Sequence, residues 1–204
     1  NEPFSASGRD FMNSVAQEKM RAKWRSLQPV LQVEAKVLQA CRNNPAYCTP
    51  ATSRFLAVID AAKDKSGRAR IGEINRAVNL AVRPVDDMVK FHVPDVWTTP
   101  LMTFASESGD CEDYAIAKYV ALREAGFATA DLRIVILRSA VLRQDHAVAA
   151  VRLDGEWLVL DNRTMLLRTD AQLNDMTPLA SLDTDESEPV DSRAMDIVAA
   201  YGPA

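Results

Sequence analysis

The chain has 204 residues, enough for one sizeable core, and a net charge of −4 from 24 basic and 28 acidic side chains. A mildly acidic chain with no basic stripe is not built to neutralise phosphates, which argues against nucleic acid as a partner. No apolar run approaches the roughly 20 residues of a membrane span, so a membrane-embedded chain is not expected.

The chain opens at Asn1 with no basic-then-apolar leader, as a processed mature form or a trimmed piece would. Residues 1–8 are small and polar and read as a loose arm. From Arg9 to about Arg42, Phe11, Val15, Trp24, Leu27, Leu31 and Leu38 recur at helical steps, with Pro29 expected to kink or split the helix. Cys41 and Cys48 lie in "CRNNPAYC", a loop able to fold back on itself. A disulfide there leaves Cys111 as the odd thiol and implies an oxidising compartment; the plain alternative is two unrelated reduced cysteines. A zinc site using this pair and a histidine would lack a second CxxC.

Thr52 or Ser53 is expected to cap a second helix, "RFLAVIDAAKD", that stops near Ser66-Gly67. A third, "IGEINRAVNLAV", stops before Pro84. "RPVDDMVKFHVPDVWTTP" holds three prolines and reads as an ordered loop. A helix over about 110–125 follows, with Gly126 as its C-terminal stop. "DLRIVILRS" reads as a strand, and "HAVAAVRL" and "EWLVLDN" flank Asp154-Gly155, a two-residue hairpin signal. The tail after Arg168 is polar and acidic, with a last short helix near 191–201. The fold class expected is α+β: N-terminal helices and a cysteine helix packed on a small antiparallel sheet.

"GDCEDYAIAKY" places Cys111 at a helix start, where unpaired N–H groups and the macrodipole favour thiolate over thiol. The base must come from His92, in the proline-rich loop, or His146, at the start of a strand. With Asp154-Gly155 as the turn, Leu153 faces Glu156 and Val148 faces Asp161. His146 and Asp161 then emerge on one face, within diagonal reach. A one-residue slip would separate them. Cys111, His146 and Asp161 thus read as nucleophile, base and orienter. The Cys111 N–H is a natural oxyanion donor, and Trp97 or a neighbour is a candidate for a second. Core packing is the plain alternative for Trp97, as for Trp24 and Trp157. Asp110, Glu112 and Asp113, with Asp145 beside the histidine, would repel one another unless a hard cation such as calcium sat among them; helix-start charge explains one or two of them without it.

"GDCEDYAIAKYVALREAG" followed by "DHAVAAVRLDGEWLVLDN" resembles the bacterial transglutaminase-like cysteine protease family, nearest its periplasmic adhesin-cleaving members. The likeness runs from Trp97–Pro100 through Asn162. It implies a papain/transglutaminase-like core within a single domain over 1–204, with a mainly helical lobe to residue 95 and the cysteine helix, sheet and acidic tail over 96–204. It implies a Cys111–His146–Asp161 triad and calcium on the acids around Cys111. It also implies a periplasmic location and a substrate: the N-terminal retention region of a large surface adhesin, cut near a di-alanine, whose release promotes biofilm dispersal. The implied regulator is the periplasmic domain of an inner-membrane cyclic-di-GMP receptor. A transglutaminase or acyltransferase would use the same triad with an amine as second nucleophile. A non-enzymatic binding module would leave Cys111 no more reactive than a buried thiol.

Overall fold

The structure is a computed structural model that describes residues 2–4 and 15–183. The helix expected near 191–201 lies outside them. α1 spans Val15–Asn43 and is continuous across Pro29. The proline removes one ladder donor, but Trp24 and Leu31 on either side are buried and hold the helix to the core. After a 3-10 turn at Pro45–Tyr47 comes α2, Pro50–Ala61. Its cap is Thr49, not Thr52 or Ser53: the Thr49 hydroxyl accepts the Thr52 N–H, and Pro50 takes the first helical position, where no N–H is needed. α3 spans Gly67–Ala81.

The proline-rich stretch contains a two-residue strand, β1 (Arg83–Pro84), and a single helical turn, α4 (Asp87–Lys90). A further helix, α5 (Pro100–Ser106), was not legible in the sequence. β1 pairs in parallel with β2 (Ser108–Gly109), immediately before α6 (Cys111–Glu124). Nothing local announces this pairing. It seats the loop after β1 against the start of the cysteine helix, and Lys90 reinforces it by donating to the Ser108 carbonyl at 2.6 Å.

α6 is buried continuously from Asp113 to Leu122 and packs on the sheet between it and the other helices. It ends as expected at Gly126, whose φ of +94° suits glycine. The Phe127 N–H reaches the Leu122 carbonyl and the Gly126 N–H that of Arg123, which satisfies the last carbonyls. The sheet is antiparallel, in the order β6-β5-β4-β3-β7. β3 is Leu132–Ser139, β4 Asp145–Leu153, β5 Glu156–Leu160, β6 Arg168–Thr169 and β7 Met176–Leu182. Leu153 pairs with Glu156, so Asp154 and Gly155 are the two turn residues, both with positive φ.

Two readings of the chain ends are corrected. The N-terminal arm is anchored where it is described: Phe4 is fully buried, its N–H donates to Asp170 at 2.6 Å, and Glu2 pairs with Arg133. The segment after Arg168 is not all solvated tail, since Leu173, Met176 and β7 complete the sheet and its outer apolar face. Alternation within "MTPLASL" is weak because Pro178 and small residues interrupt it, so only its pairing with β3 identifies the strand.

Candidate active site

α6 begins at the floor of a cavity of about 790 Å³ whose lining includes Trp97, Asp110, Cys111, Glu112, His146 and Asn162. Cys111 is the first residue of the helix. Gly109 is required just before it, because a Cβ there would fall 2.5 Å from Asp113 Oδ2. Asp110 holds the N-cap position yet caps nothing with its side chain. Its carboxylate instead joins those of Asp87 and Glu112, with ligand oxygens all within 4.8 Å of one another.

Two of these acids add to the effect of burial on the sulfur. Burial pushes the Cys111 thiol up, and the charge of Glu112 and a thiol-to-Glu112 hydrogen bond of 3.0 Å push it further; the Ala147 N–H acts the other way. Burial, with Glu112, Asp113 and Asp87 nearby, likewise pushes Asp110 up to about 9. Asp110 Oδ1 and Asp87 Oδ1 are buried with no hydrogen-bond partner among the described residues.

Three converging carboxylates, two of them with an unpartnered oxygen, fit a hard divalent cation. Of the four acids expected to ligate, Asp110 and Glu112 stand in the cluster and two do not. Asp113 is fully buried; its Oδ1 accepts the Thr98 N–H at 2.8 Å and hydroxyl at 2.7 Å, while its Oδ2 is buried with no hydrogen-bond partner among the described residues. Asp145 also borders the cavity but is ion-paired with Arg138 across the strands. The third member, Asp87, was missed. It comes from α4, 24 residues upstream of Cys111, and the β1–β2 pairing helps bring it there.

The hairpin register observed is the one read from the turn, and it brings the two other expected residues together. His146 Nε2 and Asp161 Oδ1 are 2.8 Å apart, both groups buried. Burial opposes charge on Asp161, but the His146 contact, the Arg163 N–H and Lys118 overcome it and hold the carboxyl below its usual range. His146 Nδ1 is buried with no partner among the described residues, so one ring nitrogen is held and the other is open. Cys111 and His146 share the cavity, but no hydrogen bond links them among the described residues. His92, the other histidine, is exposed and does not line the cavity.

Trp97 lines the cavity, but its indole N–H is engaged by Asp95 at 2.9 Å and cannot serve as the second oxyanion donor in this arrangement. Trp24 and Trp157 are buried in the two apolar clusters. Cys41 and Cys48 are joined as a disulfide and Cys111 is free, which removes the thiolates a zinc site would need. Among the described residues no helix is long and apolar enough to cross a membrane.

No curated protein sequence matches the chain. Among solved structures, that of Legionella pneumophila LapG aligns with TM-score 0.61 at 24% identity, covering 81% of this chain and 93% of that one. Its calcium-bound form aligns with TM-score 0.60 at 23% identity, covering 82% and 98%, and its EGTA-treated form with TM-score 0.59 at 24%, covering 81% and 94%. These likenesses establish a shared fold. The model of the bacterial transglutaminase-like cysteine proteinase family matches residues 27–174, and it includes the helix, the hairpin and the acidic cluster just described. The chain belongs to the bacterial transglutaminase-like cysteine proteinases.

Proposed function

We propose that the chain is a cysteine endopeptidase in which Cys111 is the nucleophile, His146 the acid–base and Asp161 the orienter. The observation that carries this reading is the buried 2.8 Å His146–Asp161 contact beside a helix-start thiol in one cavity. Asp161 holds Nε2 and leaves Nδ1 to exchange a proton with the thiol. The Cys111 thiolate attacks the scissile carbonyl, and the N–H groups at the start of α6 face the developing oxyanion. His146 then protonates the leaving amine as the C–N bond breaks, and water attacking the thioester regenerates the thiol. A calcium ion on Asp87, Asp110 and Glu112 would supply positive charge that offsets the carboxylates raising the thiol.

The substrate in this reading is the N-terminal retention region of a large surface adhesin, cut near a di-alanine and released from the cell surface to promote biofilm dispersal. The setting is the periplasm, and control comes from the periplasmic domain of a cyclic-di-GMP receptor. These assignments rest on the resemblance of "GDCEDYA" and "DHAVAAV" to the adhesin-cleaving branch of the family. The test is incubation of the protein with purified adhesin N-terminal regions in calcium, with products identified by mass spectrometry. Two fragments that do not form with Cys111→Ala support the proposal. Crosslinked products in place of fragments would assign acyl transfer instead.

A further inference from the structure

Asp161 lies just past the end of β5. The strand ladder stops at Ala149–Leu160 on one side and at Val159–Arg168 on the other, so neither neighbouring strand holds residue 161. The chain then turns through Asn162 and Arg163, both of which line the cavity. Inside the turn the Arg163 N–H donates to Asp161 Oδ1 at 2.9 Å, and the same oxygen meets His146 Nε2 at 2.8 Å. The aim of the carboxylate therefore depends on the shape of the backbone from 161 to 164.

Helix α3 supplies the groups that fix this shape. Asn79 Nδ2 donates to the Asp161 carbonyl and to the Thr164 carbonyl, each at 3.1 Å, and so grips both ends of the turn. Asn75 lies one helical turn earlier on the same face. It donates to the Thr164 carbonyl at 3.0 Å and makes no bond to Asp161 among the described residues. A pair of carbonyl oxygens can be met only by the nitrogen of an amide, which settles how Asn79 is oriented. The rest of this helix face is apolar, with Ile71, Ile74 and Val78 buried. Asn75 Oδ1 and Asn79 Oδ1 are buried with no hydrogen-bond partner among the described residues. An apolar side chain would avoid that cost, so it is the amide nitrogens that account for these residues.

We propose that Asn79 is a positioning residue: by clamping the carbonyls of Asp161 and Thr164 it sets the 161–164 turn, and through it the carboxylate that orients His146. This rests on the triad reading given above. The clamp acts on backbone, and its effect reaches His146 only through Asp161. Asn75 supports the far end of the turn.

The test uses the whole protein in calcium, as wild type, Asn79→Leu, Asn79→Ala, Asn75→Ala and His146→Ala. The chain holds only two histidines, His92 and His146, so isotope-labelled histidine gives two imidazole signals by NMR, and His146→Ala assigns them. Wild type should show His146 protonated at Nε2, the nitrogen facing Asp161, with that proton shifted far downfield. In both Asn79 variants this proton should move upfield or broaden away, and alkylation of Cys111 by iodoacetamide should slow about tenfold. Asn75→Ala should lower the melting temperature yet keep the wild-type His146 spectrum. A wild-type His146 spectrum or a wild-type alkylation rate in both Asn79 variants would overturn the proposal. So would losses that scale with melting temperature across all three asparagine variants. Wild-type Cys111 reactivity in His146→Ala would instead overturn the triad reading, and the His146 spectra alone would then decide the role of Asn79.

Discussion

Each side chain in the cavity makes a separable prediction. Cys111→Ala and His146→Ala should abolish cleavage with the fold retained, read by fragment assay and circular dichroism. Asp161→Asn should lose most activity, because an amide cannot hold the imidazole in the same tautomer. The acids divide differently from their positions in sequence. Asp87→Asn should weaken calcium binding, seen as a smaller calcium-dependent rise in melting temperature. Asp113→Asn should leave that calcium response largely in place while lowering the melting temperature in calcium and in EGTA alike, since it loosens the Thr98 contacts. An equal loss of calcium response in both variants would return Asp113 to the ligand set. His146 and Asp161 were legible because both sit on one hairpin whose turn fixes their register. Asp110 and Glu112 were legible because they flank the cysteine. Asp87 was not, because its place depends on a two-residue parallel pairing that leaves no periodicity in the sequence.

Among the elements, α1 and α5 are tied by a buried acid. Glu34 accepts the Thr99 hydroxyl and the Leu101 N–H at 3.3 Å, and burial pushes its pKa up to about 7. A carboxyl whose folded pKa lies above its unfolded value binds its proton more tightly when folded. Its contribution is therefore present below about 4.5 and is lost as pH rises towards 7, on the order of 3 kcal/mol in all. Glu34→Gln should remove this dependence, so wild type should lose stability relative to the variant between about pH 5 and pH 8 in urea unfolding. Parallel pH curves would show that Glu34 stays charged. The disulfide closing the α1–α2 connection spans only seven residues of separation, so Cys41→Ser with Cys48→Ser should cost less than the roughly 3 kcal/mol of a 15-residue loop. Elements with strong periodicity or clear stops, such as α3 and α6 with its Gly126, could be read directly. α5 and β7 could not, since α5 is only seven residues long and Pro178 interrupts the strand pattern, and both are specified by what they pack against.

For the whole molecule, calcium binding should raise the melting temperature, because a ligand held only by the folded arrangement of α4 and α6 stabilises that arrangement. Scans in calcium, magnesium and EGTA should rank in that order, and coincident curves would retire the site. The sheet has a second dependence at its opposite face. Phe4 closes the cluster of Val135, Leu137, Val148, Ala150, Trp157 and Val159, which includes the strand positions beside His146. The first few residues thus act as a plug for the side of the sheet turned away from the cysteine helix. Removing them would unseal that face. Phe4→Ala should cost about 3 kcal/mol or more, and a chain trimmed past Phe4 should bind the dye ANS and self-associate at concentrations where the intact chain stays dispersed. Any segment placed before Glu2 therefore lies over a sealed apolar seam, and it must leave Glu2 and Phe4 free to dock.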